Sequence, residues 1–366
     1  MKIYSKLWYV LAGMALAVCL TPAFVHGQPA TTGVDGTGST LVDCKGRSVV
    51  LPARVDRIAC LYAFTGHVVT MLGRGPDIVA VSNGLKRDSL LHRICPSILK
   101  ARVPKAQGAI NIEELLASKP DVLFMPGDVA GDPADMAKLA RFKIPYLIID
   151  YTDIETQQHA IELIGQAVHA GARAAEFIAY YQNTIDRVRQ ITNTIPKEKR
   201  IRVYYAVNEP LRTTLIQGLE SAWLKVTGCE NVALNRKPQV IEGKNIASLE
   251  QILLWNPDVI LANEPSAAAF MLHEEKWSAL TAVKRKRVYR MPIGISRWGH
   301  PGSMETPLAI LWTAKQLYPE RFTQVDMRAE TRSFYKKFFN YELSNAMTEK
   351  ILNGENVRKP KKRKSG

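Results

Sequence analysis

The sequence predicts an α/β protein: two similar α/β lobes with mainly parallel sheets, joined by a single long inter-lobe helix. Three observations carry this. Short apolar strands alternate with helices, which argues for mainly parallel sheets covered on both faces, and the alternation occurs twice. Between the two runs lies a helical stretch over about 154–191, where Ile161, Ile164, Val168, Ala174, Phe177, Tyr181, Ile185 and Val188 recur at helical spacing. One segment is also repeated. Residues 113–123 correspond to 250–260, each a short helix stopping before Pro120 or Pro257, with Asp121 or Asp258 leading into a buried strand. Each copy has an asparagine shortly before it, Asn111 and Asn245.

Taken in order, 1–27 has the form of a signal peptide: Lys2 and Lys6, an apolar stretch over 7–20 and a short polar lead. That stretch is shorter than the roughly 20 residues a membrane-spanning helix needs. Cleavage is expected near Val25-His26-Gly27. Lipid anchoring at Cys19 is the weaker alternative, because Val18 stands where a lipobox has Gly, Ala or Ser. A flexible lead-in over 28–40 precedes the N-terminal lobe, 41–152. That lobe opens on a hairpin (41–43 and 48–51) and continues with strands at 58–61, 78–81, 122–125 and 146–149 and helices at 65–72, 112–118 and 134–142. Gly165 and Gly171 divide the linking region, 153–196, into a helix up to about 169 and an unbroken one over 172–192. The C-terminal lobe, 197–324, has strands at 202–207, 259–262 and 288–291 and helices at 221–227, 249–255, near Trp277 and at 307–317. A helical extension (325–353) is expected to pack back on the body, followed by a basic disordered tail (354–366).

The formal charge of +15 falls to +7 once Lys2, Lys6 and the six cations of the tail are set aside, and no nucleic-acid-binding motif accompanies that tail. Cys44, Cys60, Cys95 and Cys229 permit three full pairings, among which spacing does not choose. GxSxG, GxxxxGK[ST], GxGxxG, HExxH and CxxC are all absent, which disfavours the common enzyme classes and a resident metal.

In open α/β sheets ligands sit outside the carboxyl ends of the strands, and two facing lobes make a cleft there. The first lobe offers Tyr62, Phe64, Thr65, Ser82, Asn83 and Asp128, with Lys105 and Gln107 from the long connection. The second offers Tyr205, Asn208, Arg212, Gln217, Asn263, Glu264 and the glycine-flanked loop 294–300 with Arg297, Trp298 and His300. Aromatic faces and guanidinium forks suit a flat or bulky anion. Each residue has a plainer role open to it: Tyr62 and Phe64 as packing, Lys105 and Arg212 as solvated charge, His67 and His300 as structural histidines.

Taken together, these features resemble the periplasmic substrate-binding proteins of the ferric siderophore, haem and cobalamin class that serve ABC importers. Gly46-Arg47 and Leu51-Pro52 ahead of Arg57-Ile58, the paired Pro-Asp-Val motifs, Gly165 with Gly171, Gly218 with Gly228, and the stretch from Pro307-Leu308-Ala309 to Arg321-Phe322 carry the resemblance, which covers about 41–322. It implies two lobes on one long helix with limited opening, and a monomeric binding protein with no intrinsic cofactor and no catalysis. It also implies docking of a surface Glu from each lobe, here Glu113 and Glu250, into the permease dimer. His67 departs from the family, which commonly has Glu there. The expected function is periplasmic capture of a ferric siderophore-like chelate, favoured by the cationic body with Arg297, Arg212 and Lys105. Within the class, corrinoid, haem with Tyr62 or His67 as axial ligand, or an oxyanion such as molybdate are the alternatives; from another class, a two-lobed metal chelatase.

Overall fold

The computed structural model describes residues 38–106, 109–128, 131–214, 217–234, 239–241 and 244–355, with only the backbone at 105, 106 and 109. The expected signal peptide, Cys19, Gln107, the Lys105 side chain and the tail from 356 lie outside these described residues.

The chain begins with the hairpin of β1 (Thr40–Val42) and β2 (Ser48–Val50). Then follow β3 (Ile58–Cys60), α1 (Ala63–Met71), β4 (Ile78–Val81), α2 (Ser89–Ile94), the two-residue strands β5 (Lys105–Ala106) and β6 (Ala109–Ile110), α3 (Ile112–Ala117), β7 (Val122–Pro126), α4 (Pro133–Arg141) and β8 (Tyr146–Ile149). β4, β3, β7 and β8 form a parallel sheet in that order. After α5 (Ile154–Ala167) and α6 (Gly171–Thr192) come β9 (Arg202–Ala206), β10 (Arg212–Thr213), α7 (Leu219–Val226), β11 (Glu230–Asn231), β12 (Gln239–Ile241), β13 (Lys244–Ile246), α8 (Leu249–Trp255), β14 (Val259–Ala262), α9 (Pro265–His273), α10 (Thr281–Lys284), β15 (Val288–Arg290) and α11 (Thr306–Leu317). β11, β9, β14 and β15 form a second parallel sheet with the same order of connection. α12 (Met327–Phe339) and α13 (Asn345–Leu352) close the described chain.

The repeat seen in the sequence is a repeated clamp. Arg57, just before β3, donates to the carbonyls of Ser118 (2.7 Å) and Lys119 (2.9 Å) at the end of α3; Arg202, opening β9, donates to those of Trp255 (2.6 Å) and Asn256 (3.2 Å) at the end of α8. The aspartates reciprocate: Asp121 accepts from the Arg57 amide at 2.9 Å and Asp258 from the Arg202 amide at 3.0 Å. Orphan helix-end carbonyls thereby gain charged donors, which fixes each repeated helix against its sheet. One detail differs from expectation. Asn111 caps α3 by accepting from Glu114 N (3.1 Å), but the α8 cap is Ser248, accepting from Gln251 N (3.2 Å), while Asn245 is buried in β13 and donates to Thr214 O.

α6 has 22 residues, or about 33 Å at 1.5 Å per residue. Its buried face carries Phe177 and Tyr181, and Phe177 meets Phe338 of α12 edge-on at 5.0 Å, so the extension packs on the strut. Strand alternation then divides the core. Ile58 and Cys60 face the same apolar cluster as Val203, Tyr205, Val259 and Leu261, with α5, α6 and α11 between the sheets. Ala59 and Leu61 face a cluster on the far side of the first sheet; Tyr204, Ala206, Ile260 and Ala262 face one on the far side of the second. One continuous core joining the lobes resists wide opening. Among the described residues no helix is long and apolar enough to cross a membrane.

Candidate functional site

The ends of all four strands of the first sheet meet at a cavity of about 460 Å³. β3 delivers Leu61 and Tyr62, β4 Ser82, β7 Pro126 with Gly127 and Asp128, and β8 Ile149 with Asp150 and Tyr151. Ala63, first residue of α1, completes the wall, so the helix N-terminus opens there. Tyr62 caps α1 without a side-chain bond, and the first turn holds no acidic residue. The first-turn N–H groups of a helix have no intrahelical acceptor and carry partial positive charge. The Ser82 hydroxyl is buried and makes no hydrogen bond. Asp150 is neutralised by Lys45 at 2.5 Å.

Two tyrosines link this cavity to the other lobe. Tyr151 donates to Pro301 O at 2.5 Å, which commits its single hydrogen; the 2.9 Å bond between the Tyr62 and Tyr151 hydroxyls is therefore donated by Tyr62. Tyr62 consequently presents acceptor lone pairs to the cavity. Burial pushes the Tyr62 phenol up to about 12 and raises that of Tyr151 well above the usual phenol range, so both remain neutral.

The opposing loop is held from within by Glu305, fully buried at the start of α11. One carboxylate oxygen accepts from Ile295 N (2.7 Å) and Tyr335 OH (2.5 Å), the other from Ser296 N (3.1 Å) and Ser296 Oγ (2.6 Å). Gly294 is required there: a Cβ would lie 2.0 Å from Tyr335 OH and 2.1 Å from Glu305. Gly299, at φ +73°, sits with its would-be Cβ 2.5 Å from the Trp223 ring. Arg297, carried on this loop, donates to Asn208 (2.5 Å) and Glu264 (2.8 Å) at the ends of β9 and β14.

The candidate residues fall into groups. Tyr62 and Asp128 line the cavity. Phe64, Thr65, Tyr205, Asn263 and Trp298 are each fully enclosed, which corrects the expectation that they face a ligand. Strand and helix periodicity turns Phe64 beneath Tyr151 (4.8 Å between rings) and Thr65 back to Tyr62 O (2.8 Å); Tyr205 packs edge-on against Trp223; Asn263 accepts from Asn208 N (2.7 Å); and Trp298 is part of the shared core. Arg297 is ion-paired, His300 accepts from Gly302 N within its own turn, Arg212 lies in the β10–β13 ladder, and Asn83 and Gln217 are exposed. His67 is buried against Asp88 at 2.9 Å, which removes it as a haem ligand at the cleft. All four described cysteines are free thiols. Glu113 and Glu250 are exposed at the second position of α3 and α8; Glu250 is held below the usual carboxylate range by its own backbone N–H and by Ser248.

Asp150 and Tyr151 were missed although the strand-end rule, applied to the fourth strand as to the others, points to them. Glu220 was missed for a different reason. It occupies the second position of α7, where a carboxylate ordinarily serves the helix dipole at a surface, and only the fold buries it to 6% exposure. Burial pushes its carboxyl up to about 7 against the pull of its own N–H and of Arg212.

A family model described as periplasmic binding protein matches residues 58–293. The molybdate-binding protein MolA of Haemophilus influenzae is 28% identical over 337 residues, covering 84% of this chain and 93% of that one. Its structure with bound molybdate, from an ABC transporter system, superposes with a TM-score of 0.73 at 26% identity, covering 84% of this chain and 99% of MolA. A periplasmic solute-binding protein of Veillonella parvula gives 0.74 at 25% identity, covering 86% and 97%. These relatives bind solutes, and the metal-chelatase alternative falls away.

Proposed function

We infer that this chain, which belongs to the periplasmic binding protein family, is the solute-binding component of an ABC importer and takes a compact oxyanion of the molybdate type in its inter-lobe cleft. The observation that carries this is the set of neutral donors at the carboxyl ends of the first sheet. Ser82, whose hydroxyl is buried and unpartnered, and the N-terminus of α1, which has no side-chain cap, lie at the wall of one cavity. Fixed N–H and O–H groups of this kind hold an anion without a counter-charge. A volume of about 460 Å³ lies at the small end of ligand sites and suits a compact solute, and the likeness to MolA supports the same class. The ferric-chelate expectation rested on the cationic body with Arg297, Arg212 and Lys105, and of these Arg297 is paired with Glu264. A small ferric chelate stands as the second reading because Asp128 and the Tyr62 lone pairs supply acceptor oxygens. Export to the periplasm and docking on a permease dimer through Glu113 and Glu250 complete the proposal.

Isothermal titration with sodium molybdate, sodium tungstate and a ferric siderophore tests it. Saturable one-to-one binding of molybdate or tungstate is expected; binding of the ferric chelate alone would replace this reading by the second.

A further inference from the structure

The hairpin ahead of the first sheet brings a cation to the cavity wall. Asp43, 3% exposed, organises its turn. One carboxylate oxygen accepts from the amides of Lys45 and Arg47, at 3.0 Å each; the other accepts from the Arg47 guanidinium (2.7 and 3.0 Å) and from Ile148 N of β8 (3.1 Å). Cys44 N donates to Ile148 O at 3.1 Å, and Arg47 donates to Tyr146 O at 3.2 Å with its guanidinium 4.1 Å over the Tyr146 ring. Gly46 supplies the left-handed φ of +78° that the turn requires. The turn is thereby fixed to the edge strand β8, and Lys45 reaches Asp150 at the end of that strand, Nζ to Oδ2 2.5 Å. Gly127, at the end of β7, makes room for the pair: a Cβ there would lie 2.8 Å from Asp150 Oδ2 and 3.2 Å from Lys45 Cε. Gly127 and Asp150 both line the cavity, as does a second acid, Asp128. An ion pair as exposed as Lys45–Asp150, 50% and 40%, adds little to stability, so its consequence lies in the field at the cavity.

We propose that Lys45 is a positioning residue that sets the charge selectivity of the cleft. It holds the Asp150 carboxylate and cancels its charge at the wall, which lets a dianion approach the neutral donors there. An uncompensated Asp150 beside Asp128 would repel the same solute. This rests on the oxyanion reading above. The action is Coulombic, so it scales with the charge of the solute.

The test is the calorimetric dissociation constant of molybdate, and of the tetrahedral monoanion perrhenate, for the wild type, Lys45→Met, Asp150→Asn and the double variant. Lys45→Met should weaken molybdate binding about tenfold, the order expected for one unit charge acting on a dianion across a half-solvated wall, and perrhenate binding only about threefold. Asp150→Asn, which leaves Lys45 uncommitted, should tighten molybdate binding at least about twofold. The double variant should return to within about threefold of the wild type. That rescue separates a charge effect from damage to the turn, which a second substitution would not repair. Molybdate affinity within twofold of the wild type in Lys45→Met, equal losses for the two anions, or no rescue in the double variant overturns the role of Lys45 and leaves the oxyanion reading standing. Binding of neither anion by the wild type overturns that reading and this proposal with it.

Discussion

Glu305→Gln isolates what holds the loop opposite the cavity. One oxygen of Glu305 receives the Ile295 amide and the Tyr335 hydroxyl; the other receives the Ser296 amide and hydroxyl. In the variant, one of these oxygens becomes an NH2 group. The hydroxyls can rotate to accept from it, but a backbone N–H cannot, so the new NH2 faces either Ser296 N–H, which is left orphaned, or Ile295 N–H, which keeps only its 3.0 Å bond to the Tyr335 hydroxyl. An orphaned buried group of this kind costs about 1–3 kcal/mol, and losing charge assistance alone costs about 1 kcal/mol. Unfolding free energy from urea denaturation should therefore fall by about 1–3 kcal/mol, and ligand affinity with it, because the same loop carries Arg297. A loss below about 1 kcal/mol would refute the reasoning, since it would mean that the loop holds its shape without these bonds.

Three further outcomes follow from the site. Arg297→Ala should weaken molybdate binding by about 1–3 kcal/mol by calorimetry, through release of the Glu264 carboxylate that it neutralises; unchanged affinity removes it from the site. Tyr151→Phe breaks the bond to Pro301 and should cost about 1 kcal/mol of stability, yet molybdate affinity should not drop, because the freed Tyr62 hydrogen turns to the ligand; a loss beyond tenfold contradicts this. Glu113→Arg combined with Glu250→Arg should abolish uptake in cells while calorimetric affinity stays intact, and sustained uptake would show that docking lies elsewhere.

Much of the fold is legible in the chain because it is written in local signals. Continuous apolar runs mark the strands of both sheets, and the Pro-Asp-Val repeat marks the two clamped helices, since each needs a helix stop followed by an aspartate that binds backbone. α9 and the β10–β13–β12 sheet escaped: the first is a short apolar run without helical contrast, the second has strands of two or three residues. The site is less legible, because strand ends identify a neighbourhood and not which side chains face it. Phe64 and Thr65 follow Tyr62 directly, yet helix α1 turns them into the core. Arg297 reads as a free ligand-gripping charge until Glu264 is placed 2.8 Å away by a separate strand. Glu220 gains its character solely from burial between elements distant in sequence.

The most direct test of the central claim is native mass spectrometry, with elemental analysis, of the protein recovered from the periplasm of cells grown with molybdate. One molybdenum per chain, present as an oxyanion adduct and diminished by Ser82→Ala, is the predicted result. An adduct containing iron or a tetrapyrrole in its place would contradict the account.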